Sequence, residues 1–445
     1  MFDAFHEPDY RRFWLTQFIS NIGSWMQVVA QGWLVYRLTN SPLLLGIVGF
    51  SSSAPSIFLM LPGGVLADQL DRRKVLRLSQ WAQTFAALAL SLSIWTHHIN
   101  IVQIICASLI VGSAMAFSSP AYQAMVVDLL DDRSHLSNAV AMNSLQFNLS
   151  RAVGPLLAGL ALSAWGSFWC FFLNALSFLP LIWVLGRLRD RQRRSVTLEQ
   201  RMMAKLAEGF RYVRGERSVQ VLLCVMMASS FCGYPLVTLM PIVARKLFTN
   251  DASGLGYLMG SFGAGTLTAA LALAIRMPPA DRMLRVIAGA TAVFGLAIAA
   301  IPFGHAMPVT LAILYLAGAA MVTGFALVNT SIQQRVPDEV RGRVMSMYTY
   351  SFFAFLPFGN LLGGVMAESA GLTRTLFVMG AVLVLTAIGV AAYPIDSRIS
   401  SIVARLQVYI GVSRTVYLDD SVSRNSCTRS RNSAGESASN ATTKS

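Results

Sequence analysis

The fold class this sequence predicts is all-α: a polytopic membrane protein of twelve transmembrane helices, arranged as two pseudo-repeated bundles of six. Three observations carry that expectation. Apolar stretches of about 20 residues, the length that crosses a hydrocarbon core of roughly 30 Å, recur along a chain of 445 residues that is 55% hydrophobic and 13% charged. The charges gather between those stretches, most densely from Gly64 to Lys74 (GVLADQLDRRK); such a segment cannot sit in lipid and marks a turn between two spans. Finally, segments of the first half recur in the second at a nearly constant offset.

The spans begin near Trp14, Leu43, Val75, Ile101, Asn138, Ser167, Val219, Gly254, Leu284, Met307, Val344 and Leu372. With the N-terminus in the cytoplasm, all but five of the 35 Lys and Arg residues fall on that side; the five are Arg37, Arg151, Arg245, Lys246 and Arg374. Adding or removing one span scrambles this asymmetry, so an even count with both termini cytoplasmic is expected. The formal charge of +14 therefore orients helices. It is spread over loops rather than massed on one soluble module, which argues against a nucleic-acid partner. The first apolar stretch is a full span with no small-residue cleavage site, so no cleavable signal peptide is expected. Cys106, Cys170, Cys224, Cys232 and Cys427 stand singly, without metal-ligand spacing, and read as packing residues.

Four regions result: a first bundle at 1–186, a basic cytoplasmic linker at 187–218, a second bundle at 219–395 and a polar cytoplasmic tail at 396–445, expected to be disordered. Within the linker, Leu198, Met202, Leu206, Phe210 and Val213 keep helical spacing, which suits an amphipathic helix on anionic headgroups. Ser400 to Tyr409 reads as a short interfacial helix. The repeat lies in GPLLAG at 154–159 against GNLLGG at 359–364, with Gly166 and Phe172 against Gly371 and Phe377, all at an offset of 205; Asp71-Arg72 meets Asp281-Arg282 at 210. A six-span unit has been duplicated.

These residues resemble the major facilitator superfamily. Its loop signature after the second span is matched by Gly64, Asp68, Arg72, Arg73 and Lys74, while Gln69 stands where the family has Arg and Asp71 where it has Gly. The wording Pro120-Ala121-Tyr122-Gln123-Ala124, Asn138-Ala139-Val140, Asn148, Arg151, Gly154-Pro155, with Glu208 to Val213 and Arg341 to Ser346, is similar to the branch of bacterial macrolide efflux pumps and the catecholate siderophore exporter. The resemblance covers roughly residues 5 to 395. It implies two bundles packed about a central substrate path in a bacterial inner membrane, and secondary active export of small amphipathic molecules by alternating access. Protons are the candidate coupling ion, and a monomer is expected. It also implies that Asp68 and Arg72, with Arg73, form a conformational gate that latches against the opposite bundle, and that Asp128 pairs with the loop arginine. The other reading of Asp128 is a solvated helix end beside Asp131 and Asp132.

Arg151 follows Leu136 by fifteen residues, roughly 22 Å of helix at 1.5 Å per residue, which puts it near the midplane. An ionisable group there costs several kcal/mol unless paired or hydrated, so it is either a polar anchor for substrate or gate, or a guanidinium satisfied by carbonyls and span-one amides. Gly154, Pro155 and Gly159 remove bulk and one backbone donor, permitting a bend and close helix approach; the second copy has Asn360 for Pro155, with Pro357 just before it. In span one, Asn21 and Trp25 share a face, as do Gln27 and Gln31; such amides line a path or join helices, and path lining is the expectation. Tyr234 in span seven and Tyr348, Tyr350, Phe352, Phe353 and Phe355 in span eleven suit a large, mostly apolar ligand.

Carboxylates are almost missing from the membrane interior: Asp68 and Asp128 lie at span ends and Glu368 at the outer end of span eleven. The span from Ile101 to Phe117 has no charge. Arg151 is then the key central charge, which favours substrates of anionic or phenolate character. No nucleophile–base pair, HExxH or phosphate loop is present, so neither an enzyme, a cofactor nor a metal site is expected. The alternatives are a transport-inactive scaffold or sensor, and a lipid or lysolipid transporter.

Overall fold

The computed structural model describes residues 3–188, 209–248, 252–304 and 306–392. Fourteen helices appear among them: α1 Pro8–Thr39, α2 Pro42–Ser53, α3 Pro55–Gln69, α4 Arg72–Trp95, α5 Ile101–Asp128, α6 Leu136–Ala164, α7 Ser167–Arg187, α8 Arg217–Ala228, α9 Pro235–Phe248, α10 Ala252–Ile275, α11 Ala280–Ala300, α12 Met307–Arg335, α13 Asp338–Ser369 and α14 Leu372–Ala392. Two pairs are single rods with an interruption. Pro55, which has no N–H to donate, separates α2 from α3, and a π-turn at Ser229–Gly233 separates α8 from α9.

Nine of the described helical stretches are long and apolar enough to cross a membrane. The three other long helices, α1, α4 and α6, fall outside that set, and each is rich in amides or arginines: Gln17, Asn21, Gln27 and Gln31 in α1, Arg72, Arg73, Gln80 and Gln83 in α4, and Asn143, Gln146, Asn148 and Arg151 in α6. The hydropathy of those helices is lowered by groups that the fold turns inward. Gln27, Gln80, Gln83, Gln146, Asn148 and Arg151 are all buried. Large apolar side chains such as Phe58, Leu78, Phe85, Val102 and Ile275 face outward instead, which is the pattern lipid as solvent requires.

Helix ends show why the rods begin where they do. Ser41 caps α2 by accepting from Leu44 N at 3.3 Å, and Asn100 with Gln103 forms a reciprocal capping box on α5. Asp71 caps α4, its Oδ1 accepting from Arg73 N at 3.0 Å. Its backbone sits at φ −60, ψ 110, an extended conformation open to any residue. The turn therefore forms without the family's glycine, and the carboxylate supplies a cap that glycine lacks.

The first seven helices pack mainly on one another and so do the last seven, while α6 lies along α10 and α2 along α13. These two crossings are built alike. A Cβ on Gly159 would lie 2.8 Å from Gly256 Cα, and one on Gly46 would lie 2.8 Å from Gly364 Cα. The sequence offsets convert one crossing into the other, since 205 carries Gly159 to Gly364 and 210 carries Gly46 to Gly256. The duplicated small residues are thus two places where the halves touch backbone to backbone.

Of the expected linker helix, 198–208 lies outside the described residues; residues 209–215 are helical, and a Cβ on Gly209 would meet Arg343 Cβ at 3.1 Å. The tail at 396–445 and its expected interfacial helix also lie outside them. Cys170 and Cys232 are buried, but Cys106 and Cys224 are exposed, so the packing expectation fails for those two, which face outward from α5 and α8.

Candidate functional site

Arg151 lies where α1, α6, α9, α10 and α12 converge. It is 6% exposed, and its guanidinium carbon stands 5.3 Å from the Trp25 ring centroid, 5.8 Å from Tyr234 and 5.2 Å from Phe262. One of its Nη atoms approaches Met321 Sδ at 3.9 Å. Trp25 belongs to the same half as Arg151; Tyr234, Phe262 and Met321 belong to the other. Among the described residues, no carboxylate pairs with it. Cation–π contacts stabilise by about 0.5–2 kcal/mol each, and an unpaired ion buried in an apolar site costs several. The rings therefore hold the cation in place without neutralising it.

The local sequence explains how the cage is built. Pro155 follows Arg151 by one turn and removes a backbone donor from α6. Gly154 lets Trp25 approach, for a Cβ there would meet Trp25 Cβ at 2.6 Å. On the other half, a Cβ on Gly263 would strike Arg151 O at 2.4 Å and Ala152 Cα at 2.5 Å, so glycine sets the separation of α6 and α10 beside the cage. The π-turn at Ser229–Gly233 ends directly before Tyr234. One extra residue in the turn rotates α9 about its axis relative to α8, and Ser230 Oγ fixes the turn by donating to Phe352 O at 2.6 Å. Phe352 itself packs edge-on against Tyr234 at 5.6 Å and Phe325 at 5.5 Å.

The span-one residues divide between two roles. Trp25 is in the cage, and Asn21 accepts from Gln17 Nε2 at 2.9 Å one turn below it. Gln27 and Gln31 bond within their own half. Gln27 Oε1 accepts from Asn174 Nδ2 on α7 at 2.6 Å, and Gln31 Nε2 donates to Ser108 Oγ on α5 at 2.9 Å; both join helices of one half, because an amide facing an apolar neighbour must find a polar partner there. Tyr348 is buried, its hydroxyl donating to Phe325 O at 3.3 Å, and it is not among the rings set on Arg151. Phe262 and Met321 carry no sequence signal: each is one apolar residue in an apolar helix.

At the opposite end from Asn40, Arg72 Nη1 lies 2.6 Å from Asp128 Oδ2, and Arg73 lies 2.7 Å from Asp71 and donates to Leu188 O. Arg73, by hydrogen bonding, holds the Asp71 carboxyl below its ordinary range. The Arg72–Asp128 pair lies within the first half, between α4 and α5, rather than across to the second. The side chain of Asp68 is outside the described residues.

Across the seam, contacts gather toward the other end. Asn360 Nδ2 donates to Gly49 O at 3.2 Å, Phe50 packs on Phe358 at 6.0 Å, and Arg245 donates to Asn40 Oδ1. Glu368 Oε2 accepts from Ser41 Oγ at 2.9 Å and from Leu43 N at 3.1 Å, placing a carboxylate on the positive end of α2. Each of these lies between the level of Arg151 and the Asn40 end, so the halves are sealed together on that side of the cage.

Comparison with known proteins agrees with this architecture. A family described as transmembrane secretion effector matches residues 1–405. The staphyloferrin A transporter of Staphylococcus aureus is 25% identical over 378 residues, covering 83% of this chain and 92% of that protein. The multidrug efflux pump Tap of Mycolicibacterium fortuitum is 25% identical over 381 residues, covering 83% and 91%. A crystal structure of the nucleoside transporter NupG superposes with a TM-score of 0.69 at 12% identity, over 86% of this chain and 99% of that one.

Proposed function

As a member of the transmembrane secretion effector family, within the major facilitator superfamily, this chain is a multi-pass membrane transporter, and we propose that its cargo is a small amphipathic molecule bearing an anionic or phenolate group, which it exports. The observation that carries this reading is Arg151, a buried cation held by three rings on the seam between the halves with no carboxylate beside it among the described residues. An amphipath would set its acidic group against the guanidinium and its apolar body among Trp25, Tyr234, Phe262 and the ring cluster at Phe352.

Transport then proceeds by rocking of the bundles 1–186 and 219–395, linked by 187–218, about the fixed site. The loop residues Asp68, Arg72 and Arg73 with Asp128 act at the cytoplasmic gate of a bacterial inner membrane, with both termini and the 396–445 tail on that side. Protons are the coupling ion and the chain works as a monomer. The names of the two relatives, a staphyloferrin A transporter and a multidrug efflux pump, support transport of a small molecule, and the second supports export.

The test is uptake into inverted vesicles of paired aromatic acids and amines of matched size, with and without a protonophore. Acids should be taken up and amines not, uptake should collapse with the protonophore, and Arg151→Ala should cut the rate at least tenfold while Arg151→Lys retains part of it. Unchanged uptake and substrate range in Arg151→Ala would overturn the reading.

A further inference from the structure

A second cationic site lies on four of the five helices that meet at Arg151, displaced toward the sealed end. A cavity of about 590 Å³ opens there, with Trp33, Tyr36 and Arg37 of α1, Leu162 of α6, Arg245 of α9 and Ala252 of α10 among its walls. The spacing is regular. From Trp25 to Tyr36, from Arg151 to Leu162 and from Tyr234 to Arg245 is eleven residues each, and from Phe262 back to Ala252 is ten. Three turns of α-helix take about 11 residues and rise about 16 Å, so each helix presents the same face to both sites. Between the two, the seam is closed by Gly32 against Pro241 and by Gly159 against Gly256.

The chemistry of the cavity resembles that of the cage. Arg245 lies 5.4 Å from the Tyr36 ring centroid and donates to Asn40 Oδ1, a neutral partner that orients the guanidinium without cancelling its charge. Arg37 is exposed, and among the described residues neither arginine has a carboxylate partner. Trp33 is 7% exposed and, with Leu162, gives the cavity an apolar side. These two arginines are also among the five cations that break the positive-inside pattern, so membrane orientation does not explain them.

We propose that this cavity is a second anion site, the station that holds the acidic group of an amphipathic organic anion after it leaves Arg151, with Arg37 and Arg245 as the cations and Tyr36 and Trp33 as the apolar wall. As a station on a path it rests on the reading of Arg151 given above; as a binding site it stands on its own geometry. The anionic group belongs either to a soluble acid or to a lipid headgroup, since both offer the same charged oxygens to paired guanidinium groups.

Equilibrium binding of 2-naphthoate to the full chain in phosphatidylcholine nanodiscs tests it. Two molecules should bind per chain. Arg37→Gln with Arg245→Gln should weaken one of the two events at least tenfold and leave the other, while Arg151→Gln should remove the complementary one. Lysine at both outer positions should restore binding. Asn40→Gly, tolerated by its left-handed φ of 51, removes the Arg245 hydrogen bond but no charge and should weaken the outer event by less than the double variant does, which separates charge from the orientation of the guanidinium. Nanodiscs containing phosphatidylglycerol assign the occupant: loss of the outer event marks a lipid headgroup, and its persistence marks a soluble acid. If the outer double variant binds two molecules as the parent does, the proposal is wrong; if Arg151→Gln does so while the outer variant loses one, the outer site stands and the Arg151 reading falls.

Discussion

Gly256→Ala should open the sealed end of the transporter without unfolding either half. A Cβ at this position would lie 2.7 Å from Gly159 Cα, 3.0 Å from Pro155 O and 3.1 Å from Gly159 N. All three are backbone atoms of α6, so no side chain can swing aside, and ordinary contact requires α6 and α10 to part by roughly 0.7–1 Å locally. Overpacking of this size costs about 1–3 kcal/mol. The cost falls on the conformation in which the seam is closed and vanishes where it is parted, so the closed-to-open ratio should fall by about 5- to 150-fold. Spin labels at Leu38 and Lys246, exposed positions on opposite halves near the Asn40 end, report the change as a new, longer distance in a background with the native cysteines replaced. Gly46→Ala meets Asn360 O and Gly364 Cα at 2.8 Å on the other seam and should add to Gly256→Ala, whereas Gly159→Ala shares the Gly256 contact and should not. Gly289→Ala, with nothing within 4 Å of its Cβ, is the control. If Gly256→Ala leaves the label distances unchanged and only lowers the melting temperature, the crossing is a static fold contact and the reasoning is refuted.

Glu368→Gln removes a charge from the positive end of α2 across the seam; since this carboxylate is solvent-exposed, the effect should be about 0.3–1 kcal/mol, a two- to fivefold shift toward the open seam by the same label pair. Gln27→Leu leaves Asn174 Nδ2 buried without its acceptor and should destabilise the fold by about 1–3 kcal/mol in thermal unfolding while the substrate range stays the same; an altered substrate range would restore Gln27 to the path. Asp71→Ala removes the cap of α4 and should cost about 0.5–2 kcal/mol. Because the folded-state carboxyl of Asp71 is held below its ordinary value, chiefly by its hydrogen bond to Arg73, that contribution is fully present above the unfolded value of about 3.9 and fades as pH falls through the lower folded one. The stability gap between parent and Asp71→Ala should accordingly be constant from pH 7 to 5 and shrink only below about pH 4.

Much of this architecture is legible in the linear order of residues because each span answers to lipid by itself. A run of apolar residues, a basic turn or a proline acts on its own helix whatever the rest does. The repeat went further: its two offsets, found by matching GPLLAG to GNLLGG and Asp71-Arg72 to Asp281-Arg282, relate the two glycine crossings on which the halves meet. Arg151 stood out for a similar reason, since a midplane cation is costly wherever it points. The amides of span one were harder. Their spacing put Gln27 and Gln31 on one face but not which neighbour that face meets, and Asn174 and Ser108 took them as partners.

Residue order alone makes this an α-helical membrane protein of duplicated design, with a basic loop after the second span, a lone central arginine and scarcely any acid within the membrane. Those are consequences of the free energy of single residues and single helices in water or hydrocarbon. The surroundings of the arginine came from packing in three dimensions: Trp25 from one half, Tyr234, Phe262 and Met321 from the other, and a pair of arginines three turns along four of the same helices. In lipid no hydrophobic force selects which apolar faces meet. Close fit of glycine to backbone, a π-turn and a proline do so, and they bring together residues as far as 327 positions apart.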